Sequence, residues 1–398
     1  MVQGTQNYPQ DIKITKVEQV TVEVDRPPST VNSRAKEMVY PEPNWKWNES
    51  LIRIYTSDGT LGWGVGRAES EVGQKALNQN PFDLLDPGTG ISETFRPIET
   101  ALWDLEGKIL GKPVYQLING SEDAGSNPTA TTDWLPAYDS TLYFDDLVCD
   151  TREAGLKRIG DEVENALNNG FRACKMKIGR GCYLMEHDEG LQRDIDVVKL
   201  ARQIAGDEFN ILVDANNGYT YDETVAFLNE TSDVGIFWIE EMFEEEVEKY
   251  RALKGVIQNS SLKTLIVDGE TRTREPIEFF EPFFAEGVLD AIQHDMKGLG
   301  LTGWRRLANM PQQYDGIKCA PHNWGSLFGF FLSLQFGKTI PNFLYGEVAT
   351  LTSDVVDTSG FTFKDGAFSV PDTPGLGLAL NQQVYKKQYA GREDWQAS

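Results

Sequence analysis

Asp214, Glu240 and Glu270 close three successive short apolar segments, FNILVDANN, GIFWIEE and TLIVDGE. Three carboxylates brought to one point repel each other, and burying them unpaired is very costly. A hard divalent cation resolves the conflict. Mg²⁺ favours carboxylate oxygen in octahedral geometry and keeps positions open for water or substrate. The preceding segment, FRACKMKIG, carries Lys175 and Lys177. Two residues apart on a strand, both ammonium groups point the same way. Crowded cations near a metal have depressed pKa values, which prepares one of them to act as a base. The later segments, LDAIQHD, GIKCAPH and NFLYGE, end in Asp295 (or His294), His322 and Glu347. A carboxylate on one strand end beside an imidazole on the next fixes the ring's tautomer and raises its basicity. The third histidine, His187, lies in the polar stretch MEHDEG and reads as surface.

These terminal residues recur 25 to 37 positions apart, with helical patterns filling the gaps at 151–169, 188–205, 222–232, 244–257, 274–286, 302–312 and 325–337. Strand, polar tip and helix in steady alternation is what a parallel barrel demands. Its strands are buried on both faces and so read as apolar runs, and its chemistry collects at their C-terminal ends. With a first strand at 134–140 the count is eight. The expected class is therefore α/β, with a barrel over residues 126–370.

Ahead of it, residues 12–24 and 50–56 alternate as antiparallel strands around the turn Ser57-Asp58-Gly59. Residues 92–119 read as helix, stopped by Gly111-Lys112-Pro113. Residues 1–125 thus form an α+β domain, and the polar stretch 121–133 is a boundary. Residues from about 371 to 398 are expected to fold back on that first domain. The run from 27 to 49, with Trp45 and Trp47, is long enough to be functional or disordered.

Composition narrows the partners. The 398 residues carry a formal net charge of −24, which argues against nucleic acid and anionic membranes, since both need a basic surface. No apolar run approaches a membrane span, and the start has no secretory signal. Cys149, Cys174, Cys182 and Cys319 show no zinc spacing. A reduced, cytoplasmic protein is the plain reading. Gly298-Leu-Gly300-Leu-Thr-Gly303 matches G-x-G-x-x-G, but no acidic residue ends a strand about 20 residues later, as dinucleotide binding requires.

The set of IRIYTSDGTLGWG, ETALWDLEGKILGKPVYQLING, KMK, VDANNGYT, WIEE, DGE, APHN and the late GE resembles the enolase superfamily, in its mandelate racemase/muconate lactonizing enzyme group. The resemblance spans nearly the whole chain. It implies a modified TIM barrel, (β/α)₇β, under an α+β capping domain. It implies Mg²⁺ on Asp214, Glu240 and Glu270, and base chemistry by Lys177 and His322. Lys175 would sit against the substrate carboxylate or tune Lys177, and Glu347 would hydrogen-bond the enolate side. Members are commonly homo-oligomers. Three departures stand out: Val65 where Glu usually follows GWG, Met242 where Pro usually follows WIEE, and a loop one residue short after strand six. The last leaves Asp295 or His294 as the partner of His322. Strand register favours Asp295.

The reaction implied is abstraction of a proton α to a carboxylate. Lys177 and His322, on opposite sides of the barrel, could address both faces of one carbon. Dehydration of a hydroxylated sugar acid, an aldonate or a galacturonate-like uronate, is the favoured outcome. Racemisation of a 2-hydroxy acid and a non-catalytic sugar-acid-binding barrel are the alternatives. The polar residues Tyr138, Arg180, Asn216 and Asn323, with Trp45, are the substrate contacts expected at the mouth.

Overall fold

Alternating burial along Ile14–Asp25 (β1) places Val17, Val20, Val22 and Val24 in the core. This strand pairs antiparallel with Lys46–Thr56 (β2), which continues into Leu61–Val65 (β3) across the expected turn. The computed structural model describes residues 8–26, 31–33, 37–39, 46–118, 133–314, 316–349 and 351–398. The expected boundary stretch 121–133 and Trp45 therefore fall almost wholly outside the described residues.

Glu99–Leu110 (α1) packs on the sheet through Asp104. That carboxylate accepts from Trp63 N at 3.0 Å and from Leu376 N at 3.0 Å, and it pairs with Lys108. The helix expected over 92–119 is thus shorter. It stops at Gly111, and a separate turn, Val114–Ile118, follows Pro113. A proline has no N–H to continue the ladder.

The second body is a closed parallel barrel. Its strands are Trp134–Leu142 (β4), Ala173–Lys177 (β5), Asn210–Asp214 (β6), Trp238–Glu240 (β7), Leu265–Asp268 (β8), Ala291–Ile292 (β9), Lys318–Cys319 (β10) and Gly346–Val348 (β11). Neighbours from β4 to β10 pair in parallel, and β11 pairs in parallel with β4. The remaining seam closes where Cys319 meets Phe343 and Leu344 N donates to Cys319 O at 2.8 Å.

Between the strands run Arg152–Asn168 (α2), His187–Ala205 (α3), Tyr221–Glu230 (α4), Val247–Asn259 (α5), Glu281–Ala285 (α6), Met296–Asn309 (α7) and Leu327–Gly337 (α8). Eight strands and seven crossovers make the (β/α)₇β arrangement. The helix expected over 274–286 is reduced to a 3₁₀ turn, Ile277–Phe280, plus α6. Pro276 and Pro282 sit where only a helix start tolerates them.

The chain then returns to its beginning. Residues 362–369 form a hairpin on the edge of β4. Gly375 exchanges backbone bonds with Lys112 and Val114, and Trp395–Ala397 (β12) adds to β1. Among the described residues no helix is long and apolar enough to cross a membrane.

The two bodies are joined at the glycine-rich stretch. Thr302 N donates to Glu99 Oε1 at 2.7 Å, and Glu99 also accepts from Trp103 Nε1. The backbone of this stretch thus serves a protein carboxylate of the cap. Gly300 sits at φ 71°, and a Cβ there would lie 2.2 Å from Glu99 Oε2. Gly300→Ala is expected to destabilise by about 1–3 kcal/mol, through left-handed strain and the clash. Gly255→Ala, in open space within α5, should stabilise by up to about 1 kcal/mol. Equal melting temperatures for the two variants would show that the joint is not built this way.

Candidate active site

The backbone register sets one layer of chemistry. Lys177 pairs with Asp214, and Asp214 with Glu240, across β5, β6 and β7. Glu270 lies two residues beyond β8. Gly269, at φ 128° and packed under Ile292, turns it inward where a side chain would not fit. Ligand atoms of Asp214, Glu240 and Glu270 all lie within 4.8 Å of one another. Glu270 Oε2 is buried, and no hydrogen bond of proper geometry reaches it. It lies 3.1 Å from His322 Nε2 without the alignment a hydrogen bond needs. A hard, oxygen-only donor set with an orphaned buried oxygen fits a divalent cation such as Mg²⁺.

Both lysines face this triad. Lys175 Nζ reaches Glu240 Oε1 at 2.6 Å, Glu347 Oε1 at 3.0 Å and Asp214 Oδ2 at 3.4 Å. Lys177 pairs with Asp214 and donates to Asn216 Oδ1 at 2.7 Å. Burial opposes the charge on Lys177, yet Asp214, Glu270 and Tyr143 together outweigh it and hold the ammonium above its ordinary range. Repulsion from Lys175 does lower it, as the KMK spacing suggested, but this effect is smaller. In the protein alone the pKa thus moves opposite to the expected depression, because the surrounding negative groups together outweigh burial and the second cation.

On the other flank, His322 Nδ1 lies 3.1 Å from Asp295 Oδ2. The two residues form a parallel bridge, with Met296 N donating to His322 O. Burial lowers the imidazole's pKa, but Glu270, Glu347 and Asp295 raise it from 6.5 to about 9. Asp295 also accepts from Gly298 N and so caps α7. His294 is buried behind the dyad, its Nδ1 3.4 Å from Asp295 O, and burial lowers its pKa. The geometry therefore pairs His322 with Asp295 and not with His294.

Glu347 stands between the flanks. Its Oε1 accepts from Ser140 Oγ at 2.5 Å and its Oε2 from Asn323 N at 2.8 Å. Burial pushes its pKa up, but Lys175 and His322 bring it below the usual range.

Several expected substrate contacts do other work. Arg180 is only 1% exposed. Its guanidinium is committed to Asp146, to Asp194 and to the Lys177 carbonyl, so none of its nitrogens is left for a ligand. It anchors the loop after β5. Tyr138 lies one layer below the lysines, edge-on to Trp238 and Tyr345, and forms the floor. Asn323 turns its amide onto Ser326 O and Glu347 O and supports the glutamate. Asn216 serves the triad: its Nδ2 donates to Glu270 Oε1 at 3.0 Å and to Glu241 Oε2 at 3.1 Å. His187 is exposed, as expected, and pairs with Asp188 and Glu223.

Two features were not found in the sequence. Tyr143 is buried with its ring centroid 5.9 Å from Lys177 Nζ, and its hydroxyl accepts from Trp324 Nε1 at 2.9 Å. Trp324 in turn packs edge-on against Trp47 of β2. A second acidic group, Glu241, Glu245 and Asp268, sits beside the triad. It is held by Arg272 on Glu245, Tyr250 on Asp268 and Thr271 N on Glu241. Neither pattern carries a periodicity that singles it out.

The model of the enolase C-terminal domain-like family matches residues 158–384. The chain is similar to galacturonate dehydratase from Geobacillus sp., solved with D-galacturonate and 5-keto-4-deoxy-D-galacturonate. They share 28% identity and a TM-score of 0.87, covering 98% of this chain and 100% of that one. A mutant of that dehydratase, solved with Mg, superposes with a TM-score of 0.88 over 100% of this chain and 99% of that one, at 28% identity. The arabinonate dehydratase of Saccharolobus solfataricus is 26% identical over 295 residues, 73% of this chain and 70% of that protein. The matched family model, covering more than half of the chain, and the closed (β/α)₇β barrel under its cap show that this chain belongs to the enolase superfamily, in the mandelate racemase/muconate lactonizing group.

Proposed function

We propose that this chain is a Mg²⁺-dependent hydro-lyase acting on a hydroxylated sugar acid, an aldonate or uronate of the galacturonate kind. One observation carries the reading: an amine and an Asp-oriented imidazole flank a triad of converging carboxylates. The dehydratases of sugar acids to which the chain is similar support the substrate class. Charge supports the metal. The connected ion-pair network holds five carboxylates, Asp214, Glu240, Glu270, Glu347 and Asp295, against three cations, Lys175, Lys177 and His322. The deficit of two charges matches a divalent ion.

Asp214, Glu240 and Glu270 would hold Mg²⁺. When bound, it neutralises the triad, eases loss of the lysine proton and withdraws charge from the substrate's acid group. Lys175 faces the same group. Lys177 takes the α-proton, and His322 gives the Nε2 proton to the β-hydroxyl, which leaves as water. The resulting enol becomes an α-keto, β-deoxy acid. Asp295 accepts the Nδ1 proton and raises the ring's basicity, so His322 is held as an imidazolium whose Nε2 proton can be given up. A racemase would use the same two groups but return a proton to the opposite face.

EDTA should abolish turnover, and Mg²⁺ should restore it. Asp214→Ala, Glu240→Ala and Glu270→Ala should each be inactive yet fold. Full activity in EDTA would sink the metal reading.

Solvent-deuterium exchange tests the roles. Lys177→Ala should lose exchange of the substrate α-proton. His322→Ala should lose keto-acid formation, read with semicarbazide, while keeping exchange. Swapped behaviours would make His322 the base, and epimerised substrate without keto product would make the chain a racemase.

For the dyad, Asp295→Asn should lower kcat/KM about 10- to 100-fold, and His294→Asn should lower it less. The reverse order would overturn the pairing with Asp295.

A further inference from the structure

The loop that follows His322, residues 323–326, is gripped from the cap. Trp47 and Glu49 lie two apart on β2, so they share one face of the strand. Both turn toward the barrel. Trp47 packs edge-on against Trp324, with ring centroids 5.0 Å apart. Its ring also covers Gly325, which sits at φ 69°, where a Cβ would lie 2.9 Å from Trp47 Cζ2. Glu49 accepts from Ser326 Oγ and, at 3.1 Å, from Leu327 N at the start of α8. A carboxylate of the cap thus reaches an N–H that the helix itself cannot satisfy.

The other end of the same loop belongs to the active site. Asn323 N donates to Glu347 Oε2 at 2.8 Å, and Asn323 Nδ2 donates to Ser326 O at 2.9 Å. The residue before it is His322, whose N donates to His294 O and whose Nδ1 faces Asp295 Oδ2. The barrel therefore fixes His322 on the β9 side. On the side toward α8 the chain is tied by Glu49, which is only 3% exposed. Burying a carboxylate is costly, and an apolar side chain would join cap to barrel at less cost. Apolar contact is non-directional, however, whereas hydrogen bonds fix where their donors sit. A carboxylate at this point sets the path of the loop.

We propose that Glu49 is a positioning residue for the reaction: from the cap it fixes the loop that runs from His322 to α8, so proton transfer at His322 depends on the cap being docked. This inference rests on the sugar-acid reading above, but it follows His322 whichever proton the ring moves.

The test measures solvent-deuterium exchange of the α-proton and keto-acid formation from D-galacturonate and D-galactonate. It uses the Mg²⁺-loaded full chain with Glu49→Ala, Glu49→Gln, Asp104→Asn, His322→Ala and the double variant Glu49→Ala/His322→Ala. Glu49→Ala should slow the step that His322→Ala loses about 10- to 100-fold, the scale of a small misplacement, and should slow the other step far less. Glu49→Gln keeps an acceptor for Leu327 N and should recover most of the loss. The double variant should be no slower than His322→Ala, because the two residues act as one unit. Asp104→Asn weakens the cap away from this loop and should leave the balance of the two steps unchanged. Equal loss of both steps in Glu49→Ala, or further loss in the double variant, overturns the inference while leaving the dehydratase reading standing. If Glu49→Ala does not fold, Glu49→Asp, whose carboxylate falls a methylene short of α8, should shift the balance in the same direction, and an unchanged balance overturns the inference. If the wild type neither dehydrates nor exchanges the α-proton of either acid, the sugar-acid reading and this inference fall together.

Discussion

The structure turns on holding three carboxylates, the buried Asp214 and Glu240 and the partly buried Glu270, with ligand atoms within 4.8 Å of each other. Folding must hold them there against their own repulsion and against the loss of water. Every group around them answers that demand. Two ammonium groups come in on β5, and the Asn216 amide bridges to Glu270. Trp238 Nε1 donates to the free oxygen of Glu240 at 3.1 Å. The same groups needed for stability are the ones able to move protons. The chemistry therefore collects at one end of the barrel, above a floor of Tyr138, Trp238 and Tyr345.

A second buried charge network keeps the first in register. Arg180 and Arg193 against Asp146 and Asp194 are balanced two to two. Asp194 Oδ2 also accepts from Gly179 N, Arg180 N and Tyr219 OH. These bonds tie the loop after β5 to α3 and to the loop after β6. Lys177 and Asp214 then face each other without freedom to drift. A neutral, fully bonded network suits positioning, whereas the site network carries the imbalance that a ligand cation can relieve.

How much could be read beforehand follows from these same forces. Strand ends in a parallel barrel face one rim, so the spacing of Lys177, Asp214, Glu240, Glu270, Asp295, His322 and Glu347 carried the fold and the site core directly. Register then chose Asp295 over His294, because alternate strand residues face opposite ways. Side chains beyond the strand tips were not legible. Tyr138 and Ser140 share a face of β4, and the register sets Tyr138 opposite Glu347, yet the hydrogen bond to that carboxylate comes from Ser140. Arg180 looked available because nothing local in sequence announces Asp146, 34 residues away. Long-range partners decide such residues, and a single sequence does not list them.

The backbone supplies the last constraint. Asn216, Asn217 and Glu241 all adopt positive φ, at 44°, 60° and 42°. Such conformations cost energy for residues with a Cβ, least so for asparagine. Here they lie together at the ends of β6 and β7, and they are locked to one another. Asn217 N donates to Glu241 O at 2.6 Å, while the Asn216 side chain joins Glu241 to Glu270. Glycine would relieve the strain but would remove the amide that joins the carboxylates. The left-handed turns are what bend the chain back at the rim, so that carboxylates from adjacent strands converge instead of splaying outward. Local strain at this rim and electrostatic repulsion in the triad are therefore linked costs of a single geometry, and the packing of the whole barrel holds both in place.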